Sequence, residues 1–270
     1  MEYVRLGSTE LSVSVAGLGC GGSSRLGTVT GNSKKDSINI VKRALELGVN
    51  FFDTANSYSD AESEVFLGKA LKGRRRHVVL ATKFSNPMGP GPNDSGMSRV
   101  HMMNAIEDSL SRLQTDYVDL YYIHHVDYQT PLEEMLRAMD DLVTTGKVRY
   151  IGCCNFAAWQ VCKALWTADN LKADPLICVQ NPYNLLDRRL ENEMFGLIRD
   201  QGLGSMAYSP LANGRLTNLG DIDVLDDSKT HSVVTKLSQI ASKIDKTMAQ
   251  IALNWVVVKL LAPESSKVQG

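Results

Sequence analysis

The chain has 270 residues, 43% of them hydrophobic, which is enough for a sizeable core and normal for one barrel-sized domain spanning 1–270. Lys+Arg number 29 against Asp+Glu 30, a net charge of −1, so no global pull toward nucleic acid or an anionic membrane is expected. No N-terminal apolar segment reads as a signal peptide, and the most apolar late run, Trp255 to Ala262, is broken by Lys259 and too short to span a bilayer. The expectation is a cytoplasmic protein. The cysteines Cys20, Cys153, Cys154, Cys162 and Cys178 are odd in number and form no C-x-x-C pattern, and Cys153 and Cys154 are neighbours in one strand, so reduced thiols are expected.

Residues 3–15 alternate apolar and polar around Gly7-Ser8-Thr9, which predicts a small hairpin ahead of the main fold. The glycines of Val15–Gly22 fit G-x-G-x-x-G, but Gly27 and Gly31 follow where a dinucleotide-binding unit would open its helix, so a Rossmann fingerprint is set aside. Ser33 is placed as N-cap of a helix running to Leu47 and stopped by Gly48. A strand over 51–53, a helix from Glu62 to Leu71 and an apolar strand over 78–82 follow. Arg74-Arg75-Arg76 reads as a solvated helix end, with an anion contact as the other option.

Residues 85–97 form a Pro- and Gly-rich loop, and a helix runs from Ser98 to Leu113 with Met102 and Met103 as core filler. Strand 118–123, helix 131–145, strand 148–153, helix 157–169, strand 176–179, helix 190–200 and strand 204–208 continue the alternation, and helices over 233–244 and 247–260 end it. Strand–helix alternation without a compositional break predicts an α/β fold, a TIM-type barrel of parallel strands with helical crossovers.

Three strands end in residues that handle protons. Strand 51–53 ends at Asp53 and leads to Tyr58, strand 78–82 runs into Lys83, and strand 118–123 into His124. A phenol is a poor acid at neutral pH, and a nearby ammonium lowers its pKa. In this reading Lys83 supplies that charge, Asp53 holds Lys83 ionised, and His124 hydrogen-bonds a substrate oxygen, which makes a proton donor beside a carbonyl-sized site. Each residue alone has a plainer role as cap, packing or solvated strand end; it is their joint placement at successive strand ends that points to chemistry. A metal at His124-His125 is not expected, because adjacent strand residues face opposite ways, and no cluster has good ligand spacing. No G-x-S-x-G hydrolase elbow is present.

From about residue 3 to about residue 257 the chain resembles the aldo-keto reductase family. The resemblance is carried by Asp53-Thr54-Ala55 with Tyr58, by Thr82-Lys83, by the run from Ser109 to Leu120 and by Ile123-His124. It continues through Gly152-Cys153-Cys154-Asn155-Phe156, Gln180-Asn181-Pro182-Tyr183-Asn184 and Tyr208-Ser209-Pro210-Leu211. The resemblance implies a (β/α)8 barrel and reduction of an aldehyde, ketone or sugar carbonyl with NADP(H), or alternatively NAD(H). It implies Tyr58 as general acid, tuned by Lys83 and Asp53, with His124 orienting the carbonyl. It also implies Asn155 and Gln180 on the nicotinamide carboxamide, Tyr208 stacked on the ring, and the backbone of Ser209, Leu211 and Gly214 near the pyrophosphate.

Three departures from the family pattern stand out. Cys154 takes the place of a serine before Asn155, which weakens one cofactor contact. The segment after Leu216-Thr217 is short, which predicts an open cofactor groove with fast release. The tail from Lys259 is short and polar where an eighth strand and helix would come, so that unit is expected to be missing or divergent: the chain is a truncated form, a divergent member, or one whose tail fills the gap. Ser265-Ser266-Lys267 reads as a terminus or as a remnant phosphate contact, and an open sheet edge leaves a homo-oligomer as an option. Ser23, Arg25, Phe84 and Trp159, read as loop residues, are candidates for the substrate wall. The rival function is a weakly catalytic cofactor-sensing or interaction protein on the same barrel.

Overall fold

Buried parallel strands need apolar side chains on both faces, and the strand runs of this chain supply them. The computed structural model describes residues 1–21, 26–28, 33–217 and 228–261. The chain groups into two compact units, Met1–Val179 with Leu197–Gly204, and Gln180–Gly196 with Ser205–Gly270. The expected hairpin is β1 (Tyr3–Arg5) with β2 (Ser12–Ser14), antiparallel with Tyr3 opposite Ser14. A seven-stranded sheet follows, its strands adjacent in chain order: β3 (Leu18–Gly19), β4 (Phe51–Asp53), β5 (Val79–Phe84), β6 (Val118–Ile123), β7 (Val148–Cys154), β8 (Leu176–Pro182) and β9 (Gly204–Tyr208). The pairs from β3 to β7 are parallel. Helices α1 (Lys34–Glu46), α2 (Glu62–Ala70), α3 (Arg99–Leu113), α4 (Leu132–Thr144), α5 (Ala158–Leu171) and α6 (Met194–Gln201) connect successive strands, and α7 (Ser228–Lys243) and α8 (Met248–Leu261) follow β9. Sequential strand order with helical crossovers is the topology of a (β/α) barrel.

In the first unit, local signals and packing agree. Ser33 caps α1, accepting from the Asp36 N–H while the Asp36 carboxylate accepts from the Ser33 N–H. Ser98 caps α3 in the same way, accepting from the His101 N–H. Helix α4 buries Met135, Leu136, Ala138, Met139 and Leu142 on one stripe. Met102 is buried as core filler, as expected, and Met103 is half-buried. At Gly68 helix α2 lies so close to the backbone of Leu113 that a Cβ would overlap it.

Several expectations need correction. Strand β3 occupies the glycine stretch, where the sequence shows no strand pattern, because two residues are too few to display a period. Among the described residues the first α-helix after it starts at Lys34. Arg74 and Arg76 are exposed, as a solvated end would be, but Arg75 between them is half-buried. It pairs with Asp119 at 2.7 Å, donates to the Tyr117 carbonyl at 2.9 Å, and lies 3.9 Å over the Tyr117 ring. The expected helix over 190–200 is split: Arg189–Glu191 is a tight 3-10 turn, and α6 begins at Met194. That turn is held by Arg188, which donates two bonds to the Glu191 carboxylate.

In the second unit the core is built by Leu216, Val234, Leu237, Ala241, Met248 and Ala252, from α7, α8 and the turn before them. Tyr183 is buried, stacked on Trp255 at 5.2 Å, and its hydroxyl donates to Glu191 at 2.7 Å. The segments 218–227 and 262–270 lie outside the described residues, and with them the readings of a short cofactor loop, of an absent eighth unit and of Ser265-Ser266-Lys267.

Candidate active site

Lys83 lies inside β5, one residue before its end, and is fully buried. A buried ammonium must be paired. Its Nζ forms an ion pair with Asp53 at the end of β4, donates to the Thr54 carbonyl at 2.8 Å, and lies 3.2 Å from the Tyr58 hydroxyl. Two neighbouring parallel strands bring the pair together: Asp53 stands opposite Ala81, two residues before Lys83. Backbone bonds continue the contact past the strand ends, since the Thr54 N–H donates to Ala81 and the Asn56 N–H to Lys83. The segment carrying Tyr58 is thus tied to β5. The Tyr58 and His124 rings meet edge to face, with centres 5.6 Å apart. The first unit therefore brings Asp53, Tyr58, Lys83 and His124 to one place.

The charges act on one another. Burial opposes the Lys83 charge most strongly, but the negative groups around it, Asp53 first, outweigh that and hold it ionised above the ordinary lysine range. For Tyr58 the largest effect is burial, which raises the phenol pKa; Lys83 lowers it, Asp53 raises it, and the net direction is up. Lys83 acts with the expected sign, yet the expectation of a lowered Tyr58 pKa is overturned because burial is the larger effect. Burial, then the Lys83 charge, then His125 push His124 down to about 3, so its imidazole is neutral at physiological pH.

The two adjacent histidines do not point apart. His124 follows the last residue of β6, and its ring stacks on that of His125 with centres 4.8 Å apart and planes 13° from parallel. The opposite-faces argument fails there because the strand has ended. Among the described residues no group of three His, Cys, Asp or Glu could hold a metal ion.

Asn155, at φ +61° just after β7, donates to the His124 carbonyl at 2.9 Å and lies 3.4 Å from His125 Nδ1. Cys154 is buried beside it, and burial pushes its thiol well up. Phe84 is no loop residue. It is buried in β5 and stacked on Tyr121 at 4.9 Å. Trp159 is an exposed residue of the first turn of α5, and Ser23 and Arg25 lie outside the described residues.

Two neighbours escaped the sequence reading. Asn86, in the loop after β5, has its Nδ2 at 2.9 Å from Ser57 Oγ and 3.2 Å from His124 Nδ1. The signal for Asn86 was its place just past a strand's C-terminal end. Gly21 lies against the Tyr58 ring so closely that a Cβ would overlap it. The glycine run thus makes room for a tyrosine.

In the second unit Gln180 is buried in β8. Tyr208 ends β9 and is 37% exposed, and its carbonyl accepts from the Tyr183 N–H at 3.3 Å. The turn after it has positive φ at Ser209, Ala212, Asn213 and Gly214. Asn184 Nδ2 donates to the Ser209 carbonyl at 3.0 Å and the Gly214 N–H to Leu211 at 3.0 Å. Gly214, at φ +93°, has open space where a Cβ would sit, so its backbone can be approached closely.

A sequence model described as the aldo/keto reductase family matches residues 18–269. Uncharacterized oxidoreductase YrpG of Bacillus subtilis is 38% identical over 287 residues, covering 97% of this chain and 86% of the relative. Versiconal hemiacetal acetate reductase of Aspergillus parasiticus is 33% identical over 295 residues, covering 94% of this chain and 85% of its own. A probable voltage-gated potassium channel subunit beta of Arabidopsis thaliana is 34% identical over 281 residues, covering 94% and 83%.

Proposed function

The chain belongs to the aldo/keto reductase family, an oxidoreductase family acting on small carbonyl compounds, and on that premise we propose that it reduces an aldehyde, ketone or sugar carbonyl to the alcohol with Tyr58 as proton donor. The observation that carries this reading is the buried Lys83, shared between Asp53 and the Tyr58 hydroxyl.

The cofactor proposed is NADP(H), with NAD(H) as the alternative, and the residues present fit it. The partly exposed aromatic residue Tyr208 suits a nicotinamide ring, and the open backbone at Gly214 suits a phosphate group. Gln180 and Asn155 carry the amide groups that match a carboxamide, offering both donor and acceptor. When bound, the cofactor supplies the hydride that reaches the carbonyl carbon.

Every other part of the step belongs to the chain. Negative charge builds on the carbonyl oxygen, and the Tyr58 O–H and the neutral His124 imidazole meet it with hydrogen bonds. The raised pKa keeps the phenol protonated at neutral pH, so the proton is present when required. As Tyr58 transfers it to the oxygen, the Lys83 ammonium at 3.2 Å stabilises the phenolate that remains. Asp53 keeps Lys83 charged and fixed in place.

Tyr58→Phe tests the assignment, because it removes only the hydroxyl. Turnover of a generic aldehyde should fall about 10²–10⁴-fold, the scale of a lost general acid, while binding of NADPH, followed by tryptophan fluorescence, stays near wild type. Unchanged turnover would remove Tyr58 from the role.

A second reading is favoured by the relatives named as potassium channel β subunits. In it the barrel senses a cofactor and binds a partner chain, with little catalysis. A folded monomer that reduces aldehydes would dismiss that reading.

A further inference from the structure

Asn86 stands where it does because the backbone beside it is locked to the end of β6. The His124 N–H donates to the Phe84 carbonyl at 2.9 Å, and the His125 N–H donates to the Ser85 hydroxyl at 2.9 Å. Ser85 takes a positive φ of 102°, which turns the chain immediately after the strand. The turn brings the Asn86 side chain between Ser57 and His124, with Nδ2 at 2.9 Å from Ser57 Oγ and 3.2 Å from His124 Nδ1.

That arrangement has one chemical consequence. An amide NH2 carries two N–H donors and accepts nothing, so the ring nitrogen it faces must offer a lone pair. A neutral imidazole has one N–H, and if Nδ1 is the acceptor the proton sits on Nε2. We infer that Asn86 is a positioning residue that selects the Nε2–H tautomer of His124. Burial and the neighbouring Lys83 and His125 keep the ring neutral, so the choice of tautomer decides which nitrogen donates. This deepens the proposed carbonyl reduction and rests on it for its consequence: with Nδ1 occupied by Asn86, Nε2–H is the end that can donate to a substrate oxygen. With the amide reversed, its oxygen would call for Nδ1–H and leave Nε2 a bare acceptor, which repels a carbonyl oxygen.

The test reads the tautomer directly, by 15N–1H correlation spectra of histidine-labelled full-length protein, with the His124 signal assigned by its loss in His124→Gln. Wild type should show the Nε2–H pattern; Nδ1–H in wild type would overturn the inference, whatever the enzyme turns over. Asn86→Asp keeps the shape but replaces the donor by an acceptor. At about pH 8, above the ordinary histidine range, it should convert His124 to Nδ1–H and lower kcat about 10²-fold, the scale of one lost oxyanion donor, with the Kd for NADPH little changed. A purely structural role for Asn86 predicts that this near-isosteric variant keeps both tautomer and kcat, and that result would also overturn the inference. If wild type shows Nε2–H but reduces no carbonyl, the tautomer assignment stands and the proposed function falls.

Discussion

His124 shows how one residue's titration can be turned into a prediction. Folding lowers its pKa from the ordinary 6.5 to about 3, chiefly by burial. Between those values the unfolded chain binds more protons than the folded one, so the stability tied to this group is complete above about pH 6.5 and is lost as pH falls toward 3. Turnover should therefore run flat across roughly pH 5–8 with no bend near the usual histidine pKa. A kcat inflection near 6.5 that disappears in His124→Gln would contradict the assignment. Asp53, Tyr58, Lys83 and His124 were legible in the sequence because each is a proton-handling residue at or just past a strand end. The net pKa of Tyr58 was not, since it is the sign of a difference between burial and a neighbouring charge, and both depend on distances that the sequence does not contain.

At the scale of elements, packing between α2 and α3 sets the tightest constraint. Gly68 faces the backbone of Leu113, which cannot rotate away as a side chain would. Gly68→Ala should lower stability by about 1–3 kcal/mol, as overpacking does, and chemical denaturation of the purified variant would measure it. A variant as stable as wild type would show that the helices can separate at no cost. The same helices carry the buried Glu64, which accepts from Arg112 Nε at 2.6 Å and from the Thr82 hydroxyl at 2.6 Å. That network ties α2, α3 and β5 together directly beneath Lys83 in sequence. Element order and type were readable from period and caps, as at Ser33 and Ser98. Boundaries moved where tertiary contacts extended a strand, as at Lys83 and Phe84 in β5 and Gln180 in β8, because a polar residue inside a strand looks locally like its end.

For the whole molecule, a cofactor that binds only the folded chain must stabilise it. NADPH at about 100 times its Kd should add about 2.7 kcal/mol, and thermal scans should show a midpoint rise of roughly 5–10 °C. No rise with NADPH or NADH would argue against a nicotinamide cofactor, and a rise with NADH alone would replace NADP(H) by NAD(H). The order of strands and helices, the strand-end placement of Asp53, Lys83 and His124, and membership of the family were determined by the sequence alone, because hydrophobic period, caps and motif residues are local properties. Only the tertiary structure decided that Arg75 is a half-buried ion-pair partner of Asp119, that Phe84 is core, that the two histidines stack, and that Asn86 faces His124. Those facts turn on which side chains meet across residues far apart in the chain, and on whether burial or charge is the stronger effect where they meet.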